Sequence, residues 1–149
     1  MLLLIYRYLS NLFFIPILFF FFLRFLVSKE TISSVLEKFS ISRKKRPEGD
    51  LIWINGVSVG ESKTGIAVAG EIKKIKPNSS ILFSTSTLSA YNLLSKSKNN
   101  FVVIFFPIDI NFLIKRFLKY WNPSSVIFIE SEIWPNIFYI LKEKSIKLS

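Results

Sequence analysis

The stretch LIWINGVSVGES, residues 51–62, decides how the rest of this chain is read. Leu51-Asn55 is a short apolar run in which Ile52, Trp53 and Ile54 supply β propensity, and the glycine-bearing turn after it presents Glu61 as a helix begins. Three later apolar segments, Ser80-Phe83, Phe101-Phe106 and Val126-Glu130, have the same look. Each is followed after a short loop by a helical pattern, so the chain is predicted to be α/β, with parallel strands joined by right-handed crossovers.

Outward from the first unit, Ser62-Ile75 reads as a helix. Ile66, Ala67, Ala69, Gly70 and Ile72 form its apolar stripe, while Lys63, Lys73, Lys74 and Lys76 face water and Pro77 closes it. The hydroxyl-rich run from Ser84 to Ala90 leads into a helix from Ser89 to about Lys96. That run is either a solvated loop with an N-cap, or an anion or sugar site built from the same hydroxyls and free helix N–H groups. The third strand ends in Pro107-Ile108-Asp109, where Asp109 is placed to cap a helix from about Ile110 to Tyr120. The fourth ends in ESEIWPN, residues 130–136, and Pro135 suits the first turn of a helix running to about Lys144. Ile146-Leu148 would begin a fifth strand, so the chain either ends in a short edge strand or is the N-terminal piece of a longer protein.

Parallel strands would bring their carboxyl ends to one rim. Glu61, the Ser84-Ser89 hydroxyls, Asp109, Glu130 and Glu132 all fall on it, and acids leaving a buried strand there are where open α/β sheets bind ligands. The chain has no Cys and no His, so thiolate chemistry and the usual zinc sites are excluded and acid–base work falls to carboxylates, Lys or Tyr. Carboxylates beside hydroxyls suit transfer to a hydroxyl nucleophile by a carboxylate base. A dinucleotide fingerprint starting at Gly56 fails at Ser58 and Glu61, and a phosphate loop ending at Lys63-Thr64 fails at Val57 and Ser62. No cofactor and no metal are expected.

Upstream, Tyr8-Leu23 carries no charged side chain, and counting on to Val27 brings it to the length of one short spanning helix, kinked at Pro16. A membrane helix is the favoured reading of residues 1–28, against a helix lying in the headgroups or one buried in the protein. No small-x-small site follows Phe19-Phe22, which argues against a cleaved signal peptide. Residues 29–50 form a basic linker with a short helical segment, and residues 51–149 the α/β domain. The linker's run Arg43-Lys44-Lys45-Arg46 is either solvated or grips anionic headgroups; the basic flank places the domain in the cytoplasm by the positive-inside bias. The net charge of +10 fits an anionic membrane surface or a phosphorylated substrate at least as well as nucleic acid, which is not an expected partner.

IWINGVSVGES at 52–62, STSTLSA at 84–90, FPID at 106–109 and ESEIWPN at 130–136, in this order, closely resemble the N-terminal domain of the 3-deoxy-D-manno-octulosonic acid (Kdo) transferases. The resemblance implies a Rossmann-like parallel sheet with helices on both faces, the acceptor half of a two-domain GT-B glycosyltransferase. It implies an inverting transfer of Kdo from CMP-Kdo to a lipid A precursor at the cytoplasmic face of the inner membrane. Glu61 matches the family's proposed base, and Glu130 its second essential carboxylate, with Glu132 the fallback. Ser58, Gly60, Thr87, Ser89, Asp109 and Glu132 are the candidate substrate-binding residues. Family members commonly have His where this chain has Asn55, and Thr-Gly where it has Ser89-Ala90; Asn55 hydrogen-bonds but cannot titrate. The donor-binding C-terminal domain is absent from this chain, which is expected to be a fragment or truncated product of such an enzyme, or to have that domain as a separately encoded partner, and to be inactive alone. A membrane-anchored binding domain without chemistry is the alternative.

Overall fold

The computed structural model describes residues 2–27, 30–97, 100–130 and 133–149. Three helices, α1 (Leu2–Leu12), α2 (Phe14–Leu26) and α3 (Ile32–Lys38), precede the alternating unit. That unit runs β1 (Leu51–Asn55), α4 (Val59–Ile75), β2 (Ser80–Thr85), α5 (Leu88–Ser95), β3 (Val102–Phe105), α6 (Asn111–Trp121), β4 (Ser125–Phe128), α7 (Pro135–Glu143) and β5 (Lys147–Leu148). The five strands form one parallel sheet in the order β3-β2-β1-β4-β5. The α/β class and the Rossmann-like parallel sheet are therefore as expected, and the fifth strand forms as a short edge.

Side-chain alternation along β1 explains the layering. Leu51 and Trp53 turn to the face covered by α6 and α7, where they pack with Ile114, Phe117, Val126, Ile137 and Ile140. Ile52 and Ile54 turn to the other face, against Ala69 of α4 and Leu94 of α5 with Ile81 and Phe83. Because both faces are covered, all five β1 residues are buried and the strand reads as an unbroken apolar run. Trp53 is the centre of the first layer, with ring contacts to Phe106, Phe117 and Phe128.

The open edge of β3 is closed by polar groups from outside the sheet. Glu37 of α3 accepts from the Phe105 N–H at 2.9 Å and pairs with Lys44 at 3.1 Å, while Lys44 donates to the Val103 carbonyl and to Tyr91. Edge N–H and C=O groups left bare would template further strand pairing. Arg46 donates to the Trp121 and Asn122 carbonyls at the end of α6. Of the basic run, Lys44 and Arg46 thus hold the fold together, and only Arg43 and Lys45 are exposed.

The hydrophobic leader is two helices. Among the described residues no single helix is long and apolar enough to cross a membrane; Leu3–Leu12 and Phe14–Leu26 pass the length and composition test only as a pair bent by 51°. The break at Phe13 sits three residues before Pro16, because proline has no N–H for the Leu12 carbonyl and its ring crowds that oxygen. One side of the pair docks on the domain: Phe14, Ile17 and Phe21 pack against Phe39, Ile110 and Leu113, and Tyr6 and Arg7 reach Asp109 and Asn136. The other side leaves Leu4, Tyr8, Leu12, Ile15, Phe19, Phe22 and Leu26 exposed.

Candidate functional site: the rim at the β1–β4 junction

The strand order reverses direction between β1 and β4. The chain steps from β1 outward to β3, then returns to the other side of β1 to lay down β4. Crossover helices α4 and α5 lie on one face and α6 and α7 on the other, so the reversal falls at the carboxyl ends of β1 and β4, the usual ligand position in open α/β sheets.

Gly56 lets β1 run straight into α4. A Cβ there would lie 3.2 Å from the Glu61 carbonyl carbon and the Ser62 nitrogen, so a side chain at this position would crowd the backbone of the helix's first turn. The turn itself is a capping box. Ser58 Oγ accepts from the Glu61 N–H at 3.2 Å, and the Glu61 carboxylate accepts from Val57 N–H at 2.8 Å and Ser58 N–H at 3.2 Å. Each Glu61 oxygen thereby takes one backbone donor and keeps lone pairs for a further partner. The side chain is held in one place, half-buried, at the N-terminus of a 17-residue helix.

The loop after β2 is tied to this turn. Thr85 Oγ1 donates to the Val57 carbonyl at 3.0 Å, and Thr87 caps α5 by accepting from Ala90 N–H at 3.2 Å. Gly60, Thr87 and Ser89 are exposed on the rim, and Ser58 is half-buried within its capping box. Behind them lies a relay that sequence reading missed: Trp53 Nε1 donates to Ser84 Oγ, which donates to Asn55 Oδ1, both at 2.7 Å. The signal was present in the polar residues Asn55 and Ser84 at the ends of two buried strands, paired in register.

Across the junction, Ile129 N–H donates to the Asn55 carbonyl at 3.0 Å, carrying the chain one step past the β1–β4 ladder. Glu130 follows, exposed, on a groove of about 350 Å³ lined with Phe128, Ile129, Ile133 and Phe138. Glu132 lies outside the described residues. Among those described, no three acidic side chains converge as a metal site requires.

Asp109 is placed differently from the rest. It is 4% exposed, and its carboxylate accepts from Asn136 N–H at 3.0 Å, Ile137 N–H at 2.9 Å and the Tyr6 hydroxyl at 2.9 Å. The expected cap on α6 is therefore corrected: α6 has no side-chain cap, and Asp109 instead satisfies the N-terminal donors of α7. Burial pushes its carboxyl above the ordinary range against the pull of those donors, and burial together with the Asp109 charge raises the Tyr6 hydroxyl.

Residues 33–149 match the family described as 3-deoxy-D-manno-octulosonic-acid transferase (kdotransferase). The chain is 37% identical over 105 residues to the "Probable 3-deoxy-D-manno-octulosonic acid transferase, mitochondrial" of Arabidopsis thaliana, covering 68% of this chain and 23% of that protein. It is 37% identical over 115 residues to the 3-deoxy-D-manno-octulosonic acid transferase of Rickettsia bellii, covering 76% and 28%, and 35% identical over 104 residues to that of Rickettsia prowazekii, covering 69% and 22%. The chain thus spans about a quarter of the length of these relatives. No solved structure matches it. The matched region takes in the whole sheet and every rim residue described above, and on that match the chain belongs to the 3-deoxy-D-manno-octulosonic acid transferase family.

Proposed function

We propose that this chain is the acceptor-side domain of an inverting glycosyltransferase that moves Kdo from CMP-Kdo to a hydroxyl of a lipid A precursor, with Glu61 as the base. The observation that carries the reading is the fixed Glu61 carboxylate beside the strand-order reversal, with Glu130 two residues past the end of the adjoining strand β4. In the transfer, the acceptor oxygen bonds to the Kdo anomeric carbon, the bond to CMP breaks, and the hydroxyl proton passes to Glu61. Its two backbone bonds fix the acceptor angle, so the carboxylate needs no rotamer search to meet the hydroxyl. Glu130, just past the end of the adjoining strand, orients substrate groups, with Glu132 as the fallback. Gly60, Thr87 and Ser89 supply rim contacts to the acceptor. Ser58 serves through the capping box and Asp109 through α7.

The membrane reading takes an interfacial form. A helix pair docked by one side on a domain cannot be ringed by acyl chains, whereas its exposed apolar side can lie in the headgroup boundary. We place it on the cytoplasmic face of the inner membrane, where a lipid A precursor is presented. The CMP-Kdo contacts belong to a C-terminal domain, so this chain by itself does not turn over.

Transfer of radiolabelled Kdo from CMP-Kdo to a lipid A precursor tests both claims. In the full-length parent, Glu61→Gln is expected to lower turnover by about a hundredfold or more with the fold intact. Near-normal turnover would remove Glu61 as the base, and turnover by this chain alone would overturn the division of labour.

A further inference from the structure

A second cavity, of about 390 Å³, lies away from the rim between the turn that ends α3 and the C-terminal half of α6. Its lining is Ser40, Ile41, Ser42, Arg116, Lys119 and Tyr120: two cations, hydroxyls and no carboxylate. Among the described residues, the side chains of Arg116 and Lys119 have no ion-pair or hydrogen-bond partner. The Tyr120 hydroxyl is already committed to the Lys44 carbonyl at 2.6 Å. The C-terminal carbonyls of α6 would ordinarily repel an anion here, but the Arg46 guanidinium covers those of Trp121 and Asn122.

Ser40 is the odd residue of the lining. It stands at φ +60° directly after the Phe39 cap, the position where helices ending with these two bonds, Ser40 N–H to Glu37 and Ile41 N–H to Leu36, usually carry glycine. Its Oγ is buried and has no hydrogen-bond partner. The site therefore tolerates a strained backbone and an unsatisfied hydroxyl, both of which glycine would remove.

Both walls of the cavity begin where the apolar helix pair docks. Ser40 adjoins Phe39, whose ring meets Phe14 and Phe21 of α2 at centroid distances of 5.9 Å. Arg116 is one helical turn from Phe112, which is 48% exposed and meets Phe14 at 5.3 Å. The unpaired cationic pocket thus lies within about one turn of α6 from the seat of α2 on the domain, and α2 carries its exposed apolar residues on its other side. We propose that this pocket binds the phosphate of an anionic lipid headgroup in the bilayer against which α1 and α2 lie. The inference rests on the interfacial reading given above, and it concerns a site separate from the rim.

The test is partition of the whole chain onto vesicles of phosphatidylcholine alone and of phosphatidylcholine with phosphatidic acid. Binding to the neutral vesicles reports on the apolar helices, and the gain on adding phosphatidic acid reports on the pocket. Arg116→Gln/Lys119→Gln is expected to cut that gain roughly tenfold to thirtyfold without changing neutral binding. Arg43→Gln/Lys45→Gln removes the same charge from exposed positions outside the pocket and should cost clearly less. Ser40→Gly should fold more stably yet lose part of the gain, the reverse of what a purely structural serine would do. Equal losses from the two double variants would overturn the pocket in favour of diffuse surface charge. No gain with phosphatidic acid would overturn it while leaving the interfacial reading standing. No binding to either vesicle would overturn both, and equally tight binding of sn-glycerol 3-phosphate without vesicles would overturn the lipid assignment.

Discussion

Asp109→Ala should be among the most damaging single changes outside the sheet. The carboxylate is the acceptor for three donors, Asn136 N–H, Ile137 N–H and the Tyr6 hydroxyl, and both backbone donors sit on fully buried residues. Each donor left without a partner costs about 1–3 kcal/mol, and removing a buried carboxyl returns part of that. A net loss of about 3 kcal/mol follows, a large share of the 5–15 kcal/mol typical of a domain (about the same range whatever the fold). Asp109→Asn keeps one acceptor but sets an amide N–H₂ against a backbone N–H, so about 1–2 kcal/mol is expected. Urea unfolding followed by tryptophan fluorescence measures both; an Asp109→Ala loss under about 0.5 kcal/mol would refute the role as α7 cap. The pH dependence separates burial from hydrogen bonding. Because burial raises the folded carboxyl above its ordinary 3.8, the folded state binds more protons in that window, and stability falls as pH rises through it. The gap between the native chain and Asp109→Asn should then narrow as pH rises above the ordinary carboxyl range. A widening gap would mean that the three donors outweigh burial.

Two glycines of α4 make opposite predictions. Nothing lies within 4 Å of a Cβ at Gly70, so Gly70→Ala should stabilise by about 0.5–1 kcal/mol through helix propensity. A Cβ at Gly65 would press on the Phe83 ring, with Cε1 at 3.1 Å and Cε2 at 3.3 Å, so Gly65→Ala should destabilise by about 1–2 kcal/mol despite the same gain; thermal melts of the two variants check both. At the β3 edge, Glu37→Leu strands the Phe105 N–H and should cost about 2 kcal/mol, whereas Glu37→Gln keeps an acceptor and should cost about half as much. Hydrogen exchange at Phe105 should accelerate only in the leucine variant.

The sheet and the rim were legible because they depend on short-range signals. Buried parallel strands read as continuous apolar runs, and each loop's polar residues follow their strand directly, so Glu61 and Glu130 could be set on one rim from sequence alone. Strand order was another matter. Parallel pairing follows from the alternation, but the return of β4 to the far side of β1 depends on the packing of α6, which no local pattern encodes. Asp109 shows the same limit at one residue. An acid just before a helix is a cap by proximity, yet its partners are 27 and 28 residues further on, because α7 starts beside it in space. Lys44 and Arg46 looked like surface charge because their acceptors are backbone carbonyls, which leave no mark in a sequence.

The segment before β1 therefore acts as part of the domain rather than as a tether. A flexible basic linker would let the rim tumble relative to whatever the leader touches. Here Glu37 and Lys44 clamp residues 37–44 to the β3 edge, the buried Glu30 joins the partly exposed Arg24 of α2 to Lys38 of α3, and Tyr6 shares Asp109 with the first turn of α7. The loop that carries Glu130 leads directly into α7, so the position of α1 and the geometry of the rim meet at one carboxylate. Loss of the Tyr6 hydroxyl would remove one of three bonds at that point, and the two backbone donors that remain would keep α7 capped. The orientation of the rim to the exposed apolar side of α1 and α2 is thus set by side-chain contacts of fixed length, which a longer or shorter linker could not reproduce.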